Sequence, residues 1–174
     1  MGPTVSDLLS TSIDPIQLKI LVFGPQVATP SSDDRTRHLQ EKRKEIRAAL
    51  ENAGHFVKYA EDLVDPALTG PTANPLIQEL VLMSEYDLIV TLVGSPGSIV
   101  EATTISLKPK LAQKASLYLD SDHQNGLVGQ ACRNAQNLGA HFQTYNYPGD
   151  LVDCHLLTHV SERAKSIQLL KFLL

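Results

Sequence analysis

Two periods of apolar residues alternate along the chain. Short runs such as KILVF at residues 19–23 and DLIVTLV at residues 87–93 are almost continuous and rich in β-branched side chains, the pattern of strands covered on both faces. Between them lie longer stretches with apolar residues at helical spacing, such as Leu39, Ile46, Ala49 and Leu50. Taken in order, the pattern predicts strands over 19–23, 55–60, 87–93, 114–119 and 140–145. It predicts helices over 35–53, 76–84, 98–107, 126–138 and mostly over 150–173. Strictly alternating strands and helices give a parallel sheet with helices on both faces. The expected fold class is therefore α/β. It is a single three-layer domain, residues 18–174, with a five-stranded parallel, flavodoxin/Rossmann-like sheet. Residues 1–17, polar with the short apolar pair Leu8-Leu9, read as a partly ordered arm packing on the domain or on a second subunit.

In such a sheet ligands bind at the carboxyl ends of the strands, where the strand order reverses. The loops at those ends therefore matter most. Gly24 and Pro25 break the first strand, and Gln26 follows them, placed to touch a base or a phosphate or to serve as a plain loop residue. Asp33 or Asp34 can cap the helix that follows. Glu61 and Asp62 end the second strand, where a carboxylate can accept from sugar hydroxyls or cap a loop. Residues 61–75 form an irregular loop that suits a lid or a pocket wall. The third strand breaks at Gly94-Ser95-Pro96-Gly97-Ser98, a turn with exposed backbone N–H groups. Ser98 followed by Glu101 matches a capping box, which places a helix start at Ser98 and Glu101 in its first turn. Loop amides at Gly94, Ser95, Gly97 and Ser98 with a helix N-terminus would hold a phosphate or carboxylate. The helix dipole would favour an ionised Glu101.

Other charged groups read more plainly. The run Glu41, Lys42, Arg43, Lys44, Glu45, Arg47 reads as a solvated helix face. Asp120, Asp122 and His123 read as a solvated turn, and no second histidine stands at metal-ligand spacing. Arg35 and Arg37 flank the first long loop and either close over phosphate or face water. Asp87, at the amino end of its strand, reads as a structural hydrogen-bonding group. The Leu- and Ile-rich last helix reads as core or as a dimer face.

Composition narrows the function. A net charge of −4 disfavours bulk nucleic-acid binding. No apolar run reaches membrane-spanning length, and the first residues lack a signal-peptide pattern. Two cysteines without ligand spacing read as reduced thiols of a cytoplasmic protein.

Residues 20–105 resemble the nucleoside 2-deoxyribosyltransferase-like superfamily and its nucleotide-sensing relatives. The resemblance rests on the strand ending in Gly24-Pro25 and on Ala53-Gly54-His55-x-Val57 feeding the second strand. It rests also on the strand opened by Tyr86-Asp87 and on Gly97-Ser98-x-x-Glu101. It implies that Glu101 is the carboxylate nucleophile of an N-glycosidic-bond hydrolase or deoxyribosyltransferase. The implied partner is a nucleoside, nucleotide or NAD-like molecule, and the implied assembly is a homo-oligomer. Neither metal nor coenzyme is called for. Ser95-Pro96 stand where these transferases carry an acidic residue, and Thr103 where a glycine is usual. Those departures favour the alternative, a non-catalytic nucleotide-binding or sensing domain of the same fold. On residues alone, Glu101 is either the reacting group or a capping carboxylate.

Overall fold

The computed structural model describes residues 4–174, apart from the side chains of residues 8–10 and 72. Five strands, β1 (Lys19–Phe23), β2 (Phe56–Tyr59), β3 (Leu88–Val93), β4 (Ala115–Asp120) and β5 (His141–Tyr145), form one sheet in the order β2-β1-β3-β4-β5. Every neighbouring pair is parallel. This is the expected flavodoxin-like order, with its switch point between β1 and β3.

The helices are α1 (Val5–Ile13), α2 (Asp34–Asn52), α3 (Pro75–Glu85), α4 (Pro96–Ser106), α5 (Pro109–Ala112), α6 (Leu127–Asn137), α7 (Gly149–Val152) and α8 (His155–Leu173). Successive strand residues point to opposite faces, and the two resulting cores are distinct. Val22, Val90 and Leu92 meet Leu39, Ile46 and Leu50 of α2 and Leu156 and Val160 of α8. Leu21, Ile89 and Leu117 meet Met83 of α3, Ala102 and Ile105 of α4 and Cys132 of α6.

Three expectations change. The arm contains a helix, α1, and its end is tied to α8 where Gln168 Nε2 donates to the carbonyls of Ile13 and Ile16. The expected packing of Leu8-Leu9 lies outside the described side chains. The last helix is two pieces, α7 and α8, with Asp153 and Cys154 between them. The supposed solvated face of α2 is not uniformly solvated, because Lys42 and Arg43 are 2% and 0% exposed. Lys42 Nζ reaches Glu45 and the Asp153 carbonyl, each at 2.6 Å, so the lysine joins α2 to the end of α7.

Asp33, Asp87 and the apolar positions of the last helix take structural roles that the sequence predicts. Asp33 caps α2, accepting from Thr36 N at 2.8 Å. Asp87 Oδ2 accepts from Lys19 N at 2.8 Å, and Lys171 Nζ reaches Oδ1 at 2.8 Å. In α8, Leu156, Val160 and Ile167 are core, while Leu170, Phe172 and Leu173, and Leu174 just beyond the helix, are exposed. Both cysteines are unpaired. Among the described residues no helix is long and apolar enough to cross a membrane.

Candidate functional site

The loop after β3 does not cap as Ser98-x-x-Glu101. Pro96 occupies the first helical position, which its fixed φ and missing N–H suit, so the N-cap is Ser95. Ser98 becomes the third helical residue and closes a capping box with Ser95. Its Oγ accepts from the amides of Gly94 and Ser95 at 2.9 Å each, and its own amide donates to Ser95 Oγ. Three of the four amides expected to face an anion are therefore engaged by serine hydroxyls.

This shift moves Glu101 to the second turn of α4. Ser98, Glu101, Ala102 and Ile105 share the buried stripe of the helix. Glu101 is 8% exposed, and its Oε2 is buried without a hydrogen-bond partner among the described residues. A Cβ on Gly97 would stand 3.7 Å from Glu101 Oε1, so the glycine leaves space beside the carboxyl. Burial, then the neighbouring Glu79 charge, pushes the carboxyl up to about 8; Arg43 opposes this and Glu61 adds to it. The expected ionisation by the helix dipole is overturned, since desolvation outweighs a dipole felt mainly in the first turn. Glu79, on α3, is itself raised by burial and by Glu61.

Arg43 organises the carboxyl ends of β1 and β2. Its Nη1 and Nη2 each meet one oxygen of Glu61 at 2.6 Å, and its guanidinium lies 4.4 Å from the centroid of the Tyr59 ring. The same nitrogens donate to the carbonyls of Val22, Gly24 and Pro25. Gly24 has φ +149°, and a Cβ there would lie 3.3 Å from Arg43 Cδ and 3.3 Å from the Leu92 carbonyl. The glycine thus serves the turn and the close packing of the arginine. Gln26 is exposed, and its carbonyl accepts from the buried Gln40. Gln40 also takes the Ser31 amide and donates to the Thr29 carbonyl, at 2.9 Å each, which fixes the long loop.

At the ends of β4 and β5 a second cluster forms. Asp120 is 2% exposed, which overturns its reading as part of a solvated turn. It is the last residue of β4, and Arg35 Nη1 stands 3.1 Å from its Oδ2. Arg35 also pairs with the exposed Asp122 and lies over the Tyr147 ring. The buried Tyr145 hydroxyl has no hydrogen-bond partner among the described residues, and burial followed by the Asp120 charge raises its pKa. Residues 61–75 act as a pocket wall. Leu63 and Leu68 close with Ile77, Val81 and Leu82 of α3 on a cavity of about 270 Å³.

The fold thus gathers Glu61, Gly97 and Glu101 with Glu79 and Arg43. Gly24, Gly94, Ser95 and Ser98 shape the backbone around them, and Gln26 stands apart in solvent. Arg43 and Glu79 were missed as site residues, yet a signal existed. Arg43 shares its helical stripe with Leu39, Ile46 and Leu50, and Glu79 shares one with Leu76 and Met83. A charge on an apolar stripe is the informative kind. Among the described residues no group of three or more His, Cys, Asp or Glu side chains could hold a metal ion. No protein-family model matches the chain, and no curated protein matches it at a significant level.

Proposed function

We propose that the protein cleaves N-glycosidic bonds of nucleosides or nucleotides, as a hydrolase or a deoxyribosyltransferase, with Glu101 as the reacting carboxylate. One observation carries the reading. A carboxyl group more than nine-tenths buried, with one oxygen unpartnered, sits at the carboxyl end of the sheet beside the switch point. Such a group is costly unless it has work to do. In its ionised form it attacks C1′ of the sugar or stabilises the oxocarbenium-like centre while water attacks. Positive charge developing at C1′ favours that ionised form. Glu79, the neighbouring carboxyl on α3, is the second group through which a departing neutral base would take its proton.

The test is a product screen. Nucleosides, 5′-monophosphates and NAD are incubated with the protein and with Glu101→Gln, and free base is read by chromatography. The expected result is base from the parent and roughly a thousandfold less, or none, from the variant. Equal release by both would remove Glu101 from the chemistry.

A second reading, a sensing domain, is favoured by the carboxyl value near 8, which leaves Glu101 mostly neutral at pH 7 without substrate. A ligand-dependent thermal shift without base release from any compound would select it.

Both readings carry a homo-oligomer and a cytoplasmic setting. The first is supported by exposed Val81, Val100 and Leu107 on and just beyond α3 and α4, the second by the two free thiols.

A further inference from the structure

The charges around Glu101 do not balance. The charged groups acting on it are Glu79 from α3, Arg43 from α2 and Glu61 from the turn after β2. The terminal nitrogens of Arg43 are already committed to Glu61 and to three carbonyls, and only its buried Nε is unpartnered among the described residues. Among the described residues Glu79 is therefore left without a matched cation, as is Glu101 once it ionises, and Glu101 Oε2 is buried without a hydrogen-bond donor. Most of the expected anion-binding elements are also engaged. The amides of Gly94, Ser95 and Ser98 bond to serine hydroxyls, and Arg35 is held by Asp120 and Asp122. A phosphate would find carboxylates here, whereas a cation would complete the set.

We infer that the carboxyl end of the sheet around Glu101 selects N-glycosides whose base carries a formal positive charge, of the N-alkylpyridinium riboside class, over neutral nucleosides and without help from a 5′-phosphate. The inference rests on the N-glycoside reading above and names its substrate class. The reaction chemistry agrees with it. A neutral base must be protonated as it leaves, whereas a pyridinium already carries the charge that its departure cancels. The C1′–N bond breaks and its electron pair stays on the ring nitrogen, which becomes neutral. A C1′–O bond forms to the Glu101 carboxylate. Water then adds at C1′ and the ester bond returns its electron pair to Glu101. The products are the free sugar, the neutral base and one proton released to solvent. The incoming cation lowers the cost of ionising Glu101, so binding itself prepares the nucleophile.

The test compares nicotinamide riboside with its uncharged dihydro form by calorimetric titration at pH 8.5 and low salt. The expected result is at least tenfold tighter binding of the cation. That ratio should fall severalfold in Glu79→Gln. In the parent it should grow from pH 7 to pH 9 as Glu101 loses its proton under the influence of Glu79, Glu61 and Arg43. The 5′-monophosphate of the pyridinium riboside should bind no tighter than the riboside. Equal or weaker binding of the cation, a ratio flat with pH, or tighter binding of the phosphate would each overturn the inference. Base release is scored separately on the same compounds. Release confined to neutral nucleosides sinks the charge selection and keeps the glycosidase. A tenfold preference without release from any compound sinks the glycosidase and keeps the charge selection.

Discussion

Arg43 stands where the apolar stripe of its helix calls for an aliphatic side chain. The terminal nitrogens of its buried guanidinium are answered by one carboxylate and three carbonyls, and its face by an aromatic ring, while Nε has no partner among the described residues. Lysine can supply the charge but not the planar fork that meets both oxygens of Glu61. Arg43→Lys should therefore cost about 3 kcal/mol, read as a lower urea midpoint, because Glu61 and the β1 carbonyls lose partners. Glu101 gives a pH signature of its own. Its carboxyl ionises near 4.5 in the unfolded chain and near 8 in the folded one. Between those values the folded state keeps a proton that the unfolded state has lost. The stability Glu101 contributes is thus complete below about 4.5 and drains away as pH rises to about 8. Urea midpoints across pH 5–9 should fall more steeply for the parent than for Glu101→Gln; parallel profiles would show that the carboxyl is not shifted. In catalysis the sign is opposite, since base release from a neutral nucleoside should rise through the same range as the nucleophile ionises.

At the scale of elements, β-branched runs and glycine breaks made the strands legible to within a residue or two, because a fully covered strand leaves little choice of side chain. The start of α4 was misplaced because Ser-x-x-Glu resembles a cap so closely. Ser95-Pro96 was the better signal, since proline suits the first position of a helix. The burial of Lys42, Arg43 and Asp120 was not legible, because local sequence does not say which partners the fold will bring to a charge. The α4 loop also has a packing limit. A Cβ on Gly94 would overlap Leu39 Cδ1, which is itself buried. Gly94→Ala should destabilise by roughly 1–3 kcal/mol, and Leu39→Val in the same chain should recover part of that loss in thermal denaturation. At Gly129 the obstacle is the Gln124 backbone carbonyl, so no side-chain trimming should rescue Gly129→Ala.

At the scale of the molecule, the two ends of the sheet divide the labour. The carboxyl end gathers Glu61, Glu79, Glu101, Arg43, Arg35 and Asp120. The amino end carries ties such as Asp87 with Lys19 and Lys171. Asp87→Asn should shift stability by about 1 kcal/mol or less and leave the affinity for any ligand at the carboxyl end unchanged, as titration of both proteins would show. Topology itself was legible because alternating elements with right-handed crossovers leave few possible orders. The chemistry at the carboxyl end was only half legible, since it depends on α2 and α3 as much as on the loops.

Helix α2 holds one further consequence. Arg35 reaches the end of β4, Leu39 touches the loop after β3, and Arg43 grips β1 and the turn after β2. Four residues of helix advance about 6 Å, close to the roughly 4.8 Å between neighbouring strands. Three residues spaced one turn apart on one helix thus tie together the ends of three adjacent strands. One residue inserted between Arg35 and Leu39 would turn Arg35 about 100° away from Asp120 while leaving Arg43 seated. Because one rigid helix carries all three contacts, the ends of β1, β3 and β4 are coupled through the spacing of Arg35, Leu39 and Arg43 along α2.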